Sequence, residues 1–130
     1  MRTSICAFFA LLLSCFSLHA GISGQYCVNG IYFDGEPFCG EAVITKNNKV
    51  YEIHWEYNDG TTYTGVGVLK DNYLAFASVN DADETEISVN LYKVKGNKLV
   101  DEFTAFGENV TGSETLKKKN CPGDECCEDN

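Results

Sequence analysis

Few residues in this chain have the type and spacing that chemistry demands. His54 stands between Glu52 and Glu56, and the only other histidine is His19. In an extended segment, residues two apart share a face but lie about 7 Å from each other, too far to close one tetrahedral metal centre without further ligands. The three are expected to form a polar outer face. Asp81, Asp83, Glu84 and Glu86 offer hard oxygens of the kind calcium takes, yet lack the glycine and ligand spacing of an EF-hand, so they read as a solvated hairpin tip. Cys121, Cys126 and Cys127 match no zinc spacing; disulfides within or between chains are the expectation. Cys–His nucleophilic catalysis needs an activated thiolate beside His54, and oxidised cysteines supply none. With few histidines, one arginine and no evident pair of buried acids, the chain is expected to be non-catalytic, and no catalytic residue, metal or cofactor is assigned.

A set of aromatic residues remains. Tyr51, Trp55, Tyr57, Tyr63, Phe76 and Phe103 fall in the alternating segments, so all six can point to one side of a sheet. There they either fill an interior completely or line one small-ligand pocket, and both alternatives stand. In the second case the segments near Asn58 to Thr61 and Asn80 to Thr85 gate the mouth.

The elements that must position this set are strands. From Lys49 to Val79 apolar and polar residues alternate, and Asn58-Asp59-Gly60 and Lys70-Asp71-Asn72 interrupt the alternation with residues suited to tight hairpins, which predicts a three-stranded meander. Earlier strands are expected around Gly24–Val28 and Glu41–Lys46, separated by a loop through Asp34-Gly35-Glu36-Pro37. Later ones are expected over Glu86–Lys95, Leu99–Phe106 and Gly112–Lys118, and no segment has the spacing of an amphipathic helix. Eight short strands on short connections dispose of both sheet edges by closing, so the fold class is all-β, a single eight-stranded antiparallel up-and-down β-barrel. Gly65, Gly67 and Gly112 fall inside strands, where tight coiling or close approach of an interior aromatic requires them.

Residues 1–20 carry Arg2, an apolar run from Ile5 to Leu13 and a small residue at Ala20, the layout of a signal peptide. Leu12-Leu13-Ser14-Cys15 offers a second route, lipidation at Cys15. The domain plan is thus a signal peptide (1–20), a barrel (21–118) and a Cys-rich acidic tail (119–130), secreted or periplasmic. Export places Cys27 and Cys39, which flank the first connection, where disulfides persist, and they are expected to pair with each other; one thiol is then left to stay free, to form an intermolecular disulfide through the tail, or to belong to a shuffled set there. The chain has 10 Lys and Arg against 19 Asp and Glu, a formal charge of −9, which excludes nucleic acid as a partner.

Gly24-x-Tyr26, Trp55, Gly65-Val66-Gly67-Val68, Leu74-Ala75-Phe76, Tyr92 and Gly112-Ser113-Glu114-Thr115-Leu116 together resemble a group of small, largely uncharacterised exported bacterial proteins, some labelled fibronectin-binding. The layout is also similar to the lipocalin and avidin superfamily of eight-stranded barrels. It departs from lipocalins in having Tyr26 where they carry tryptophan and no arginine to close the base, and it lacks avidin's tryptophans, so biotin is not carried over. The resemblance implies a binding module whose partner is a protein or a small molecule, met at rim loops or an interior pocket. A secreted protease inhibitor is the alternative, and an enzyme comes third.

Overall fold

The computed structural model describes residues 21–121 and 123–127. The expected signal peptide and the lipidation site at Cys15 lie outside them. Eight strands follow one another: β1 (Gly24–Ile31), β2 (Pro37–Asn47), β3 (Val50–Tyr57), β4 (Thr62–Lys70), β5 (Tyr73–Asn80), β6 (Asp83–Lys95), β7 (Lys98–Ala105) and β8 (Gly112–Lys118). Each pairs antiparallel with the next, and β8 returns to β1, closing an up-and-down barrel. Closure leaves no edge unpaired, and most strands turn an apolar face inward. β4 instead turns Gly65 and Gly67 inward with Val66 and Val68 outside, and β6 turns Ser88, Asn90 and Tyr92 inward, leaving Ile87, Val89 and Leu91 exposed on the outer wall.

Three expected boundaries move. β1 runs on to Ile31 beyond Val28, β2 begins at Pro37, not near Glu41, and β6 begins at Asp83, not Glu86. The stretch from Asn80 to Thr85 is therefore mostly strand, with only Asp81 and Ala82 turning. The register slips here, since Val79 opposes Ile87 while Asn80 opposes Asp83. Such a bulge twists a strand end and re-aims its side chains.

The lower interior is filled. Val28, Ile44, Ile53, Leu74, Leu99 and Leu116 are fully buried with Trp55 and Tyr92, and Trp55–Phe76–Tyr92 stack edge to face at 5.9 and 6.0 Å. Strand glycines make room for rings. A Cβ on Gly67 would lie 2.6 Å from the Phe76 ring and 2.2 Å from the Ala75 carbonyl oxygen, and one on Gly112 would lie 2.3 Å from Phe103. At the base the chain before β1 closes the end: Ile22 packs on the core and the Tyr26 hydroxyl donates to its carbonyl at 2.5 Å.

Disulfide pairing differs from expectation. Cys27 bonds to Cys126 and Cys39 to Cys127. In the β1–β2 register Cys27 faces Glu41 and Cys39 faces Asn29, so the two cysteines are diagonal neighbours. Diagonal positions lie about 7–8 Å apart, beyond the Cα separation a disulfide spans. Both point outward, and the tail folds back along the outer wall to meet them. Cys121 is disulfide-bonded as well. The expected intermolecular bridge thus gives way to intramolecular ones that staple the tail to the barrel.

Candidate functional site

The residues weighed as metal ligands in the sequence, and read there as a polar outer face and a solvated hairpin tip, lie on the outer wall and its rim. His54 is half exposed, with Nδ1 3.2 Å from the Thr64 hydroxyl and 3.8 Å from Asp81 Oδ2, while Glu52 and Glu56 point into solvent. Asp81 accepts from the Thr64 hydroxyl at 2.8 Å, Asp83 from the Thr85 amide and hydroxyl, and Glu86 from Tyr63 and Asn80. These acidic side chains are thus turned to separate partners. Among the described residues no three His, Cys, Asp or Glu groups converge as metal ligands.

The aromatic set divides by height along the barrel axis. Tyr51 pairs with Lys46 near the β2–β3 turn at the base, where the ammonium sits 5.8 Å from its ring centre, so Tyr51 is no part of an upper site. Phe76 lies in the packed core under Trp55. Trp55, Tyr57, Tyr63 and Phe103 surround a cleft at the opposite end, with Tyr32 and Phe33 from the β1–β2 loop, Phe38 from β2, and Ser78, Ser88, Asn90 and Glu86 from β5 and β6. The rings brace one another: Tyr32–Phe38 at 4.6 Å, Phe33–Phe103 and Phe38–Tyr57 at 5.3 Å, Tyr57–Tyr63 at 5.8 Å. The cleft encloses about 50 Å³. At about 10–15 Å³ per water-sized sphere, about three to five non-hydrogen atoms fill it. Filling and pocket, posed as alternatives, therefore both occur, at different heights.

Below the cleft lies a buried polar cluster. The chain was expected to have no paired buried acids, and this is corrected by Asp101 and Glu114, each 3 % exposed and directly opposed across β7 and β8. Glu114 accepts from the Tyr92 hydroxyl and, at 3.4 Å, from Tyr57. Asp101 accepts from Asn90 Nδ2 and from the Leu91 amide, both at 2.8 Å. Burial raises the Glu114 pKa to about 7 despite the donors that favour its charge, and raises Asp101 to about 8, with the charge of Glu114 adding to the cause. Desolvation likewise lifts the Tyr57 and Tyr92 hydroxyls above the ordinary phenol range. The Trp55 Nε1–H is buried, and no group among the described residues accepts it within hydrogen-bond distance, although it lies near enough to Glu114 to favour the carboxylate. The acid pair lies beneath the rings and does not line the cleft. Period two could have found it: Asp101 shares a face with Leu99 and Phe103, and Glu114 with Gly112 and Leu116.

No family model matches this chain, and no curated protein does. Solved structures do match, designed barrels among them. A redesigned β-barrel, mFAP1, bound to DFHBI superimposes with a TM-score of 0.63 at 16% identity, over 74% of this chain and 94% of that one. A de novo designed fluorescence-activating β-barrel gives a TM-score of 0.61 at 12% identity, over 75% and 94%. EF1p2_mFAP2b bound to DFHBI gives 0.59 at 13%, over 75% and 93%. At these identities the likeness is one of fold.

Proposed function

We propose that the chain is an exported, non-catalytic binding barrel that takes a small ligand, or one end of a larger one, at the aromatic cleft. The observation that carries this reading is the cleft itself, where mutually braced rings leave open space at one end of the barrel beside Ser78, Ser88 and Asn90. Rigid aromatic walls with a few fixed polar groups are what small-ligand sites are made of. Barrels of this topology are able to hold a small molecule, as the two DFHBI-bound neighbours do. Bridges from Cys27 and Cys39 to the tail support export, because such bonds persist in oxidising compartments.

Trp55 is the only tryptophan, so its emission reports occupancy directly. Titration of the native protein with a panel of small polar fragments should give saturable emission changes that weaken at least about tenfold in Phe103→Ala and Tyr63→Ala. A flat response across the panel, with the protein folded by circular dichroism, refutes the reading. A second reading, recognition of a protein at the rim as a protease inhibitor would achieve it, draws on Phe106, which is 88 % exposed on the β7–β8 loop. Stoichiometric loss of activity in a protease panel would favour it.

A further inference from the structure

We propose that the outer wall formed by β4, β5 and β6 is a self-association surface, on which a second copy of this chain packs face to face with its barrel axis reversed. This goes beyond the binding reading above and does not rest on it.

The alternation is inverted on this wall, where glycine or polar side chains point inward and Val66, Val68, Ile87, Val89 and Leu91 point out. Strand register gathers the outward residues into rows. Val68 faces Ala75, which faces Leu91; Val66 faces Ala77, which faces Val89; Val79 opposes Ile87 in the next row. The six branched side chains are 36% to 58% exposed, and with the two alanines they present on the order of 500–600 Å² of apolar surface, the upper end of what a monomer shows. The neighbouring strand β3 is wetted in the ordinary way, turning Glu52, His54 and Glu56 outward. The described part of the tail does not cover the patch, because its disulfides hold it to β1 and β2 on the far side of the barrel.

Size and charge both fit a second copy. A specific interface takes about 800 Å² from each partner, and the patch reaches that order once Thr64, Lys70, Tyr73 and Lys93 at its margins are included. Ala75 and Ala77 lie between the longer side chains of β4 and β6 and form a shallow trough along the middle strand, which offsets the convexity of a barrel wall. Sheets packed face to face cross at an angle, so the valine ridges of one copy lie over the trough of the other. Toward the base the patch ends in a row of Lys70, Tyr73 and Lys93. Asp71 in the β4–β5 turn offsets one of these charges, while Lys49 and Lys95 add two at the same end. Toward the mouth the patch ends at Asp81 and Asp83. A two-fold axis lying across the strands reverses the second barrel and brings the lysine row of each copy against the acids of the other, whereas an axis along the strands sets lysines against lysines. The reversed arrangement also leaves the two aromatic clefts open at opposite ends of the dimer.

The formal charge of −9 opposes association in general, so the test is made in about 0.15 M salt, where that repulsion is screened. Sedimentation velocity of the native protein from about 2 to 500 μM should show a reversible monomer–dimer equilibrium with a Kd on the order of 50 μM. Val89→Lys, at the centre of the patch, should weaken the dimer at least about tenfold, and Val68→Ser, which adds no charge, about threefold. Val43→Lys changes an outward valine of β2, 44% exposed on another part of the wall, and should alter the Kd by less than about twofold. Lys93→Glu and Asp81→Lys should each weaken the dimer about threefold to tenfold, and the two together should recover most of the loss. Circular dichroism checks that each variant is folded. A monomer at the highest concentration overturns the proposal, and cosedimentation with neutral lipid vesicles would then assign the wall to a membrane. A dimer that withstands Val89→Lys and Val68→Ser, or that Val43→Lys weakens as much, overturns the surface. Tightening by Lys93→Glu, or a double variant without recovery, overturns the reversed arrangement. The fragment titration above reads the cleft separately, so either reading stands or fails without the other.

Discussion

Glu114→Gln changes one buried carboxyl to an amide of nearly the same shape, and the wild-type chain should pay for its carboxylate only at high pH. Burial moves the Glu114 pKa from 4.5 to about 7, and each unit is worth about 1.36 kcal/mol, so roughly 3 kcal/mol is at stake. The folded-state pKa is the higher one, so the folded protein keeps a proton that the unfolded chain has already lost. This stability is complete below about pH 4.5 and is lost as pH rises through about 7. Asp101, raised to about 8, carries the decline further, and the two carboxyls release their protons as a coupled pair. In the variant, the amide oxygen still accepts from Tyr92, but the contact with Tyr57 is weakened, which costs about 1 kcal/mol at every pH. The expectation is therefore two crossing curves: the variant less stable by about 1 kcal/mol at about pH 4, level with the wild type a little above about pH 5, and more stable by about 2 kcal/mol at about pH 9. Urea unfolding from about pH 4 to 9, disulfides intact, followed by Trp55 emission, measures both. Parallel curves, with a constant difference across that range, would refute the argument, because they would mean Glu114 titrates alike in the folded and unfolded chains.

Gly67→Ala puts a Cβ 2.2 Å from a backbone oxygen and 2.6 Å from the Phe76 ring, so it should cost about 1–3 kcal/mol in urea unfolding; a loss below about 0.5 kcal/mol would contradict the packing. Removing the Cys39–Cys127 bridge by paired serine substitution should cost about 3 kcal/mol, because Cys27–Cys126 already closes the long loop and the second bond adds only a short one. Peptide mapping of the native protein should recover Cys27 linked to Cys126, and recovery of a Cys27–Cys39 peptide would overturn the connectivity.

Much of this protein is legible in its residue order. Period-two alternation fixes which side chains of each strand face together, and Gly60, Gly96 and the left-handed Asn48 and Asp71 mark hairpins where the sequence shows turn residues. Closure follows from eight such strands, and Trp55, Tyr57, Tyr63 and Phe103 follow as interior residues. Alternation says which face a residue takes but not how high along the barrel it sits, because height depends on the stagger between strands. Only the closed structure therefore sends Tyr51 to the base, leaves Trp55 at the floor of the cleft, and adds Tyr32 and Phe33 from a loop with no rhythm of its own. Cys27 and Cys39 show the same limit: each is placed on the outer wall by its neighbours, yet the one-step diagonal that keeps them apart is a property of strand pairing. Asp101 and Glu114 lie in register with Leu and Phe, but a carboxyl on an apolar face is either a misreading or a buried acid. Which of the two holds is decided by whether Asn90, Tyr92 and Tyr57 arrive from other strands to meet it.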